Sequence, residues 1–255
     1  PVEDDEISLI AKKSFERKGI KIYTDVKLLK QDKSGNGISV EIELEGEVRT
    51  LGAEKLLMAV GIIANTERLN LEKTQIKLER GHIQTDEFLQ TSESGVYAIG
   101  DVVGAPWLAH KASHEAIIAV EHILGLKVCS LKRENIPGCT YSFPQIASVG
   151  LTEKAAKSKG LELKVGRFPF IANGKALSLG EPDGLVKTIF DAKTGELLGA
   201  HMIGAEVTEL IQGYVIVKNM EGTELDIIHT IFPHPTLSET MAESVLEAYG
   251  RPVHI

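Results

Sequence analysis

Two short, uninterrupted apolar runs that end at glycines constrain the fold of this chain more than any other feature. They lie in KLLMAVG at residues 55–61 and in VYAIGDV at residues 96–102. A strand with apolar residues on both of its sides must be covered on both faces, as in the sheets of α/β proteins. We therefore predict two buried strands, one ending at Gly61 and the other at Gly100 and Asp101.

The bulk composition excludes several functional classes. The chain has 255 residues, of which 43% are hydrophobic and 25% charged, which is ordinary for a globular protein. Its net charge of −8 argues against binding to nucleic acids or anionic membranes, because both need a positive field. The longest apolar stretch is far shorter than the roughly 20 residues of a membrane-spanning helix. The acidic start, PVEDDEISLI, is neither a secretory signal nor a transit peptide.

The chain has only two cysteines, Cys129 and Cys139, and this number excludes a disulfide scaffold. Their spacing fits neither a redox pair of the CxxC type nor a zinc knuckle, so the sequence predicts no metal site. We interpret both as small side chains, buried or half-buried, in a reduced cytoplasmic protein.

Hydrophobic periodicity predicts helices over residues 5–18 and 110–125. Between them, GIKIYTDVKLLK at 19–30 predicts a strand, and the alternation in SVEIEL at 39–44 predicts a half-exposed antiparallel strand. The predicted apolar face of the second helix consists of Ala112, Ala116, Ile117, Val120 and Ile123. A Pro/Gly-rich connector at 133–145 marks a domain boundary. Beyond it, a hairpin around DAKTGE at 191–196 and helices near 206–220 and at the C-terminus predict an α+β domain. We expect that domain to have an antiparallel sheet with helices on one side.

Asp101 directly follows a predicted buried strand, a position at which open α/β sheets bind ligands. Its carboxylate can cap a turn, or it can accept hydrogen bonds from two sugar-type hydroxyls while Gly100 allows a ligand close to the backbone. The helix that begins near His110 offers free N–H groups that can stabilise an anionic ring edge. Gly61 has the same two readings, a turn at a strand end or the close approach of a cofactor.

The segment TIFPHPTLSET at 230–240 places His234 before a proline and five residues before Glu239. Thr236 and Glu239 fit a capping box at the start of the last helix, whose predicted buried stripe is Leu237, Met241, Val245 and Tyr249. The alternative is a proton-transfer pair, because a carboxylate partner fixes the tautomer of an imidazole and raises its pKa. Spacing alone leaves both readings open.

Five stretches together resemble the C-terminal half of the dihydrolipoamide dehydrogenases, which are flavin-dependent pyridine nucleotide disulfide oxidoreductases. They are LLMAVGIIANTERLNLE, TSESGVYAIGDVVGAPWLAHKASHEA, TYSFPQIASVGLTE, FPFIANGKAL and HPTLSE. The resemblance covers essentially the whole chain, and GVYAIGD, LAHK and HPTLSE are specific in combination. Glutathione reductases share a His-Pro-Thr ending but typically lack the Leu-Ala-His element. The chain departs from the family at IIAN, 62–65, and at Gln145.

The resemblance implies roles for individual residues. Asp101 would bind the ribityl part of FAD, with Gly100 beside it, and Trp107, Leu108, Ala109 and His110 would line the isoalloxazine. Gly61 would border the NAD site, and Val26 would touch its adenosine end. His234 would be the acid/base that acts on a cysteine thiol of the other subunit, with Glu239 orienting it.

The resemblance also implies an organisation and an activity. Residues 1–66 would complete an NAD-binding α/β domain, residues 67–137 would contact the flavin, and residues 138–255 would form an α+β dimerisation domain. The expected parent enzyme is a homodimer that oxidises dihydrolipoamide with FAD and NAD and serves the lipoyl domains of a 2-oxoacid dehydrogenase complex. We expect this chain to begin inside a nucleotide-binding fold, to lack the redox cysteines and to hold FAD weakly or not at all. The alternatives are a dimerisation module without chemistry and another flavin disulfide reductase such as glutathione reductase.

Overall fold

The fold is described from a computed structural model in which residues 2–35 and 37–255 are placed. The chain divides into two compact units. One consists of residues 1–22 and 133–255, here called the C-terminal unit, and the other of residues 23–132, here called the central unit. Both contain helices and strands, so the predicted mixture of α/β and α+β structure is confirmed.

The helices are α1 (Asp5–Arg17), α2 (Ala109–Ile123), α3 (Glu153–Ser158), α4 (Gly174–Leu179), α5 (Val207–Asn219), α6 (Glu224–Ile228) and α7 (Glu239–Ala248). The strands are β1 (Lys27–Ser34), β2 (Gly37–Leu44), β3 (Glu47–Ala53), β4 (Leu78–Glu79), β5 (His82–Ile83), β6 (Gly138–Thr140), β7 (Gln145–Gly150), β8 (Leu163–Pro169), β9 (Leu185–Asp191) and β10 (Leu197–Gly204). No helix in the placed part of the chain is both long and apolar enough to cross a membrane.

The C-terminal unit is built on a five-stranded antiparallel sheet in the order β6-β7-β10-β9-β8. The predicted hairpin joins β9 to β10, and Asp191 closes its turn by accepting hydrogen bonds from the backbone N–H groups of Lys193 and Thr194. Every residue of β10 is buried. A strand buried on both sides needs cover on both faces of its sheet.

Helices do cover both faces, so the prediction of helices on one side is wrong. On one face, Val186 and Met202 pack in a large apolar cluster that includes Tyr214 of α5 and Val245 of α7. The Tyr214 hydroxyl donates to the Met241 carbonyl at 3.0 Å and so joins the two helices. The predicted stripe of α7 is confirmed at Leu237, Met241 and Val245, which are buried.

The opposite face of this sheet is covered by α1 and α3. Ile7 and Ala11 of α1 pack against Ile146 and Ile203 of the sheet. This apolar contact explains why residues 1–22 belong to the C-terminal unit, whereas the sequence placed residues 1–66 together in one segment. The functional roles assigned to the three predicted segments stay a prediction.

A cluster of charged side chains ties α1 to the same face. Lys187 of β9, which is 2% exposed, donates to Asp4 at 2.8 Å, Glu6 at 2.9 Å and Glu153 at 2.7 Å. Arg167 of β8 adds contacts to Glu6 and Glu153. Burial lowers the pKa of Lys187, but the hydrogen bonds that its ammonium group donates to these carboxylates outweigh burial and raise it. The ammonium group therefore stays charged inside the fold.

The central unit contains a three-stranded antiparallel sheet in the order β1-β2-β3. The predicted antiparallel strand at 39–44 is confirmed as part of β2, in which Ile42 is buried. The strand predicted near residues 19–30 begins only at Lys27.

Neither apolar run forms the predicted buried strand. Residues 55–61 form no strand, and Leu57 and Val60 are 88% and 87% exposed. In residues 96–102, Tyr97 forms one isolated bridge with Gln90, and a 3₁₀ turn begins at Gly100. A strand that is apolar on both sides forms only beside partner strands, and no placed strand pairs with residues 55–61.

The helix predicted at 110–125 is present as α2, but its predicted buried face is wrong. Ile117, Val120 and Ile123 are exposed, at 53%, 54% and 59%. The buried side instead carries the four residues Lys111, Glu115, Ile118 and Ala119. The two charged residues occupy it because they bind the turn at 100–104.

Candidate functional site

His234 lies in the loop between α6 and α7, in hydrogen-bond contact with Glu239. The distance from His234 Nδ1 to Glu239 Oε1 is 2.9 Å. The His234 side chain is 77% exposed and that of Glu239 is 21% exposed. The other ring nitrogen, Nε2, makes no hydrogen bond within the placed residues. The pair therefore has an anchored side and a side open to an incoming group.

Glu239 also stabilises the start of α7. Its second oxygen, Oε2, accepts from the backbone N–H of Thr236 at 2.8 Å, which is one half of the predicted capping box. The other half is absent, because Thr236 Oγ1 donates to the Pro233 carbonyl and contacts Ser238 Oγ, and no side chain caps the helix. The two readings of Glu239 are thus compatible, since each uses a different oxygen.

The electrostatics of the pair favour an imidazole with a defined tautomer. Partial burial raises the pKa of Glu239, but hydrogen bonds from Thr236 and His234 lower it by a larger amount, so the pKa lies below its ordinary value. An ionised carboxylate can only accept, so the neutral ring carries its hydrogen on Nδ1 and its lone pair on Nε2. Such a group can take a proton from an acid that approaches from solvent.

A second histidine–carboxylate pair, absent from the sequence analysis, lies one helical turn further along α7. His254 Nδ1 is 2.7 Å from Glu243 Oε1, and the backbone N–H of Val253 donates to Glu243 Oε2 at 3.0 Å. Glu243 therefore holds the residues that follow α7 against the helix. The repetition of glutamate at positions 239 and 243, on one helix face, was the available signal.

In the central unit, Gly100 and Asp101 begin a 3₁₀ turn that ends at Gly104. Gly100 has a φ of +80° and Gly104 a φ of +101°, values that suit glycine. Asp101 is exposed, and its carboxylate makes no hydrogen bond within the placed residues. Its carboxylate therefore does not cap the turn within the described residues, and its role in binding a ligand stays a prediction.

The turn at 100–104 lies beside the N-terminus of α2. The N-cap residue is Leu108, and no side chain caps the helix there. Its first N–H groups have no intrahelical partner, and they carry partial positive charge. Leu108 is half-buried, whereas Ala109 and His110 are exposed. The structure thus brings the Asp101 carboxylate and the predicted 107–110 element into one local region.

Three residues that the sequence analysis missed support this region. Lys111 and Glu115 form a buried ion pair with a distance of 3.0 Å, and both bind the turn at 100–104. His82 accepts a hydrogen bond from Trp107 Nε1 at 3.3 Å. The available signal for the pair was a lysine and a glutamate four residues apart in a helix.

Gly61 and Val26 are not joined to the turn by a hydrogen bond in the placed part of the chain. Gly61 has a φ of +115° with open space where a Cβ would stand, and Val26 is 39% exposed just before β1. Their predicted contacts with NAD stay predictions.

Two family models match the chain. The model described as pyridine nucleotide-disulphide oxidoreductase matches residues 1–116, and the dimerisation domain of the same family matches residues 136–245. The turn at 100–104 lies in the first match, and His234 and Glu239 lie in the second. The matches thus follow the order of the two candidate sites along the chain.

Curated relatives match nearly the whole chain. The dihydrolipoyl dehydrogenase of Rhizobium etli is 54% identical over 253 residues, which is 98% of this chain and 53% of that protein. The Zymomonas mobilis protein of the same name is 53% identical over 100% of this chain and 55% of its own length. The mitochondrial one of Pisum sativum is 36% identical over 100% of this chain and 51% of its length. The chain spans about half the length of these relatives.

Solved structures show the same likeness. LpdA from Mycobacterium tuberculosis matches with a TM-score of 0.88 and 26% identity over 96% of this chain and 53% of that one. The HOCl-induced flavoprotein disulfide reductase RclA from Escherichia coli matches with a TM-score of 0.87 and 26% identity over 95% of this chain and 55% of that one. The chain therefore belongs to the pyridine nucleotide-disulphide oxidoreductases and, within them, is similar to the dihydrolipoyl dehydrogenases.

Proposed function

We propose that this chain is the C-terminal part of a dihydrolipoyl dehydrogenase, a homodimer that oxidises dihydrolipoamide to lipoamide with NAD as the electron acceptor. The observation that carries the proposal is the His234–Glu239 pair, in which the carboxylate anchors Nδ1 and Nε2 faces outward. His234 is the base that takes a proton from a thiol, and Glu239 orients it. A positioned base of this kind is worth roughly 10²–10⁴-fold in rate.

The residues present fit one part of a flavin site. The Asp101 carboxylate makes no hydrogen bond to any described residue and so suits sugar-type hydroxyls, and the N-terminus of α2, where no described side chain acts as a cap, suits an anionic ring edge. Asp101 would hold the ribityl part of FAD, and residues 107–110 would line its ring. When bound, FAD passes electrons between a cysteine pair and NAD.

The remaining roles follow from the same proposal. Gly61 and Val26 border the NAD site, and the C-terminal unit forms the dimer in which His234 reaches a cysteine of the other subunit. The enzyme is cytoplasmic and serves the lipoyl domains of a 2-oxoacid dehydrogenase complex.

A chimera tests the proposal directly. The part of the Rhizobium etli enzyme that precedes its matched segment is fused to this whole chain, and the purified protein is assayed for NAD reduction by dihydrolipoamide. We expect a yellow dimer with dehydrogenase activity. A folded dimer without flavin or activity would contradict the proposal and favour a dimerisation module without chemistry. A chimera that reduces oxidised glutathione but does not oxidise dihydrolipoamide would be a glutathione reductase.

Variants of the chimera test the role of His234. We expect His234→Ala to lower turnover by about 10²–10⁴-fold while the free energy of unfolding falls by no more than about 1 kcal/mol. His229→Ala is the matched control, because His229 is an exposed histidine five residues earlier. Equal turnover in the two variants contradicts the role of His234 as the base.

A further inference from the structure

The buried side of α2 carries a lysine and a glutamate, although both residue types are rarely buried in proteins. The side chains of Lys111 and Glu115 are only 2% and 4% exposed, and their charged atoms are 3.0 Å apart. The proton transfer proposed for His234 does not use them. Replacing a buried ion pair by apolar residues of similar volume is often neutral or stabilising, so stability alone does not explain this pair.

The remaining hydrogen bonds of the pair go to the backbone of the turn at 100–104. Glu115 Oε2 accepts from the Gly100 N–H at 2.7 Å. Lys111 Nζ donates to the Gly100 carbonyl at 3.3 Å and to the Gly104 carbonyl at 3.1 Å. The pair therefore holds both ends of the turn that carries Asp101.

The turn needs such external support. Both of its ends are glycines with positive φ, and glycine has the largest conformational freedom of any residue. Inside the turn, the Gly104 N–H donates to the Asp101 carbonyl at 3.1 Å. The Asp101 carboxylate makes no hydrogen bond of its own within the placed residues. Its direction is therefore fixed by the backbone that Lys111 and Glu115 hold.

We propose that Lys111 and Glu115 are positioning residues for the flavin-binding carboxylate, a role that rests on the proposed function. Because both residues belong to α2, they fix Asp101 relative to the N-terminus of the same helix. The carboxylate and the N-terminus of α2 would then bind one ligand that combines a hydroxyl-bearing chain with an anionic ring edge. Holding the two recognition elements at a fixed separation lowers the ordering cost of binding.

The test compares FAD affinity with stability in the chimera. Glu115→Leu removes the acceptor for the Gly100 N–H, whereas Glu115→Gln removes the charge and keeps an oxygen that can accept. Lys12→Met is the matched control, because Lys12 and Glu16 form an exposed pair with the same order and spacing in α1. The dissociation constant of FAD is measured by reconstitution of the flavin-free protein, well below its melting temperature. Amide hydrogen exchange of Gly100 is measured without flavin.

We expect Glu115→Leu to weaken FAD binding by about 10- to 100-fold, the range expected for one buried donor left unsatisfied. Glu115→Gln keeps FAD affinity within about fivefold of wild type even if it lowers the melting temperature, because the Gly100 hydrogen bond survives. Lys12→Met changes neither the affinity for FAD nor the melting temperature. The Gly100 amide exchanges faster in Glu115→Leu only.

When all the variants fold and the wild-type chimera binds FAD, either of two results overturns the inference. One is equal loss of FAD affinity in the glutamine and leucine variants, which would show that the charge pair acts through stability. The other is wild-type affinity in Glu115→Leu. If Glu115→Leu does not fold, an FAD affinity of Glu115→Gln more than about tenfold below wild type overturns it, and an affinity within fivefold supports it. A wild-type chimera that binds no FAD refutes the proposed function and this inference with it, whereas the exchange measurement still reports the hydrogen bond.

Discussion

Replacing Lys187 by methionine removes the ammonium group to which Asp4, Glu6 and Glu153 all point, at 2.7–2.9 Å. Methionine keeps most of the buried aliphatic stem, so the loss is mainly electrostatic. Removing one partner of a buried ion pair typically costs about 3–5 kcal/mol, because the other charge stays buried and unpaired.

The pKa shifts of the carboxylates give a second estimate of the same size. Burial raises the pKa of Glu153, but hydrogen bonds from Lys157 and Lys187 bring it from its ordinary 4.5 to about 2. One pKa unit corresponds to about 1.4 kcal/mol, so the environment of Glu153 is worth at most about 3.5 kcal/mol, of which Lys187 supplies a part. The hydrogen bond from Arg167 is the main reason that Glu6 also has a pKa of about 2, but Glu6 is more exposed and solvent screening reduces its contribution.

We therefore expect Lys187→Met to lower the free energy of unfolding by about 3 kcal/mol at pH 7. Urea unfolding of the chimera, followed by circular dichroism, measures it. Lys193→Met is the matched control, because Lys193 pairs with Glu162 at 3.7 Å on the surface, and it should lose less than about 1 kcal/mol. A loss below about 1 kcal/mol in Lys187→Met refutes the reasoning, because the buried charges would then be solvated or paired elsewhere.

The pH dependence of the free energy of unfolding independently checks the electrostatic origin of this loss of stability. Glu6 and Glu153 have folded pKa values of about 2, below the ordinary 4.5, so their contribution is complete above pH 4.5 and is lost as pH falls towards 2. Protonated carboxyl groups no longer need the ammonium group. The difference between wild type and Lys187→Met should therefore shrink over this range, and a constant difference from pH 7 to pH 3 contradicts the assignment.

Three further outcomes are expected. This chain alone, expressed without the N-terminal half of the enzyme, retains no stoichiometric FAD after gel filtration, because Asp101 and α2 supply only part of the site; a visible absorption spectrum decides. Residues 138–255 mediate a two-fold dimer of the chain, and a strictly monomeric species at high micromolar concentration by analytical ultracentrifugation contradicts this. Tyr214→Phe lowers stability by about 1 kcal/mol in urea unfolding, because the buried hydrogen bond from the Tyr214 hydroxyl to the Met241 carbonyl is lost; an unchanged midpoint contradicts a stabilising role for this hydrogen bond.

The sequence predictions that were correct rest on residues that lie close together in the sequence. The hairpin at 191–196 was predictable because Asp191 closes its turn through neighbouring backbone groups. The stripe of α7 was predictable because helical spacing alone places Leu237, Met241 and Val245 on one side. The proximity of His234 and Glu239 also needed only five residues of local chain.

The sequence predictions that were wrong depend on contacts between residues distant in sequence. An apolar run such as 55–61 shows that a segment can be buried but does not identify its neighbours, and no placed strand pairs with it. On α2, the apolar residues suggested the wrong buried face because Lys111 and Glu115 are satisfied by a backbone turn that periodicity does not reveal. Lys187 is buried because it forms ion pairs with Asp4 and Glu153, which lie in distant segments of the chain. No local sequence pattern predicts these ion pairs.

The pH dependence of kcat/KM for dihydrolipoamide, in the wild-type chimera and in Glu239→Gln, tests the central claim most directly. Glutamine keeps the backbone hydrogen bond to Thr236, so the helix start and the melting temperature should be unchanged. It removes the negative charge beside His234, so the rising limb of the profile should move to lower pH and turnover should fall. Superimposable profiles with equal rates would leave Glu239 as a helix cap and contradict the assignment of His234 and Glu239 as the proton-transfer pair.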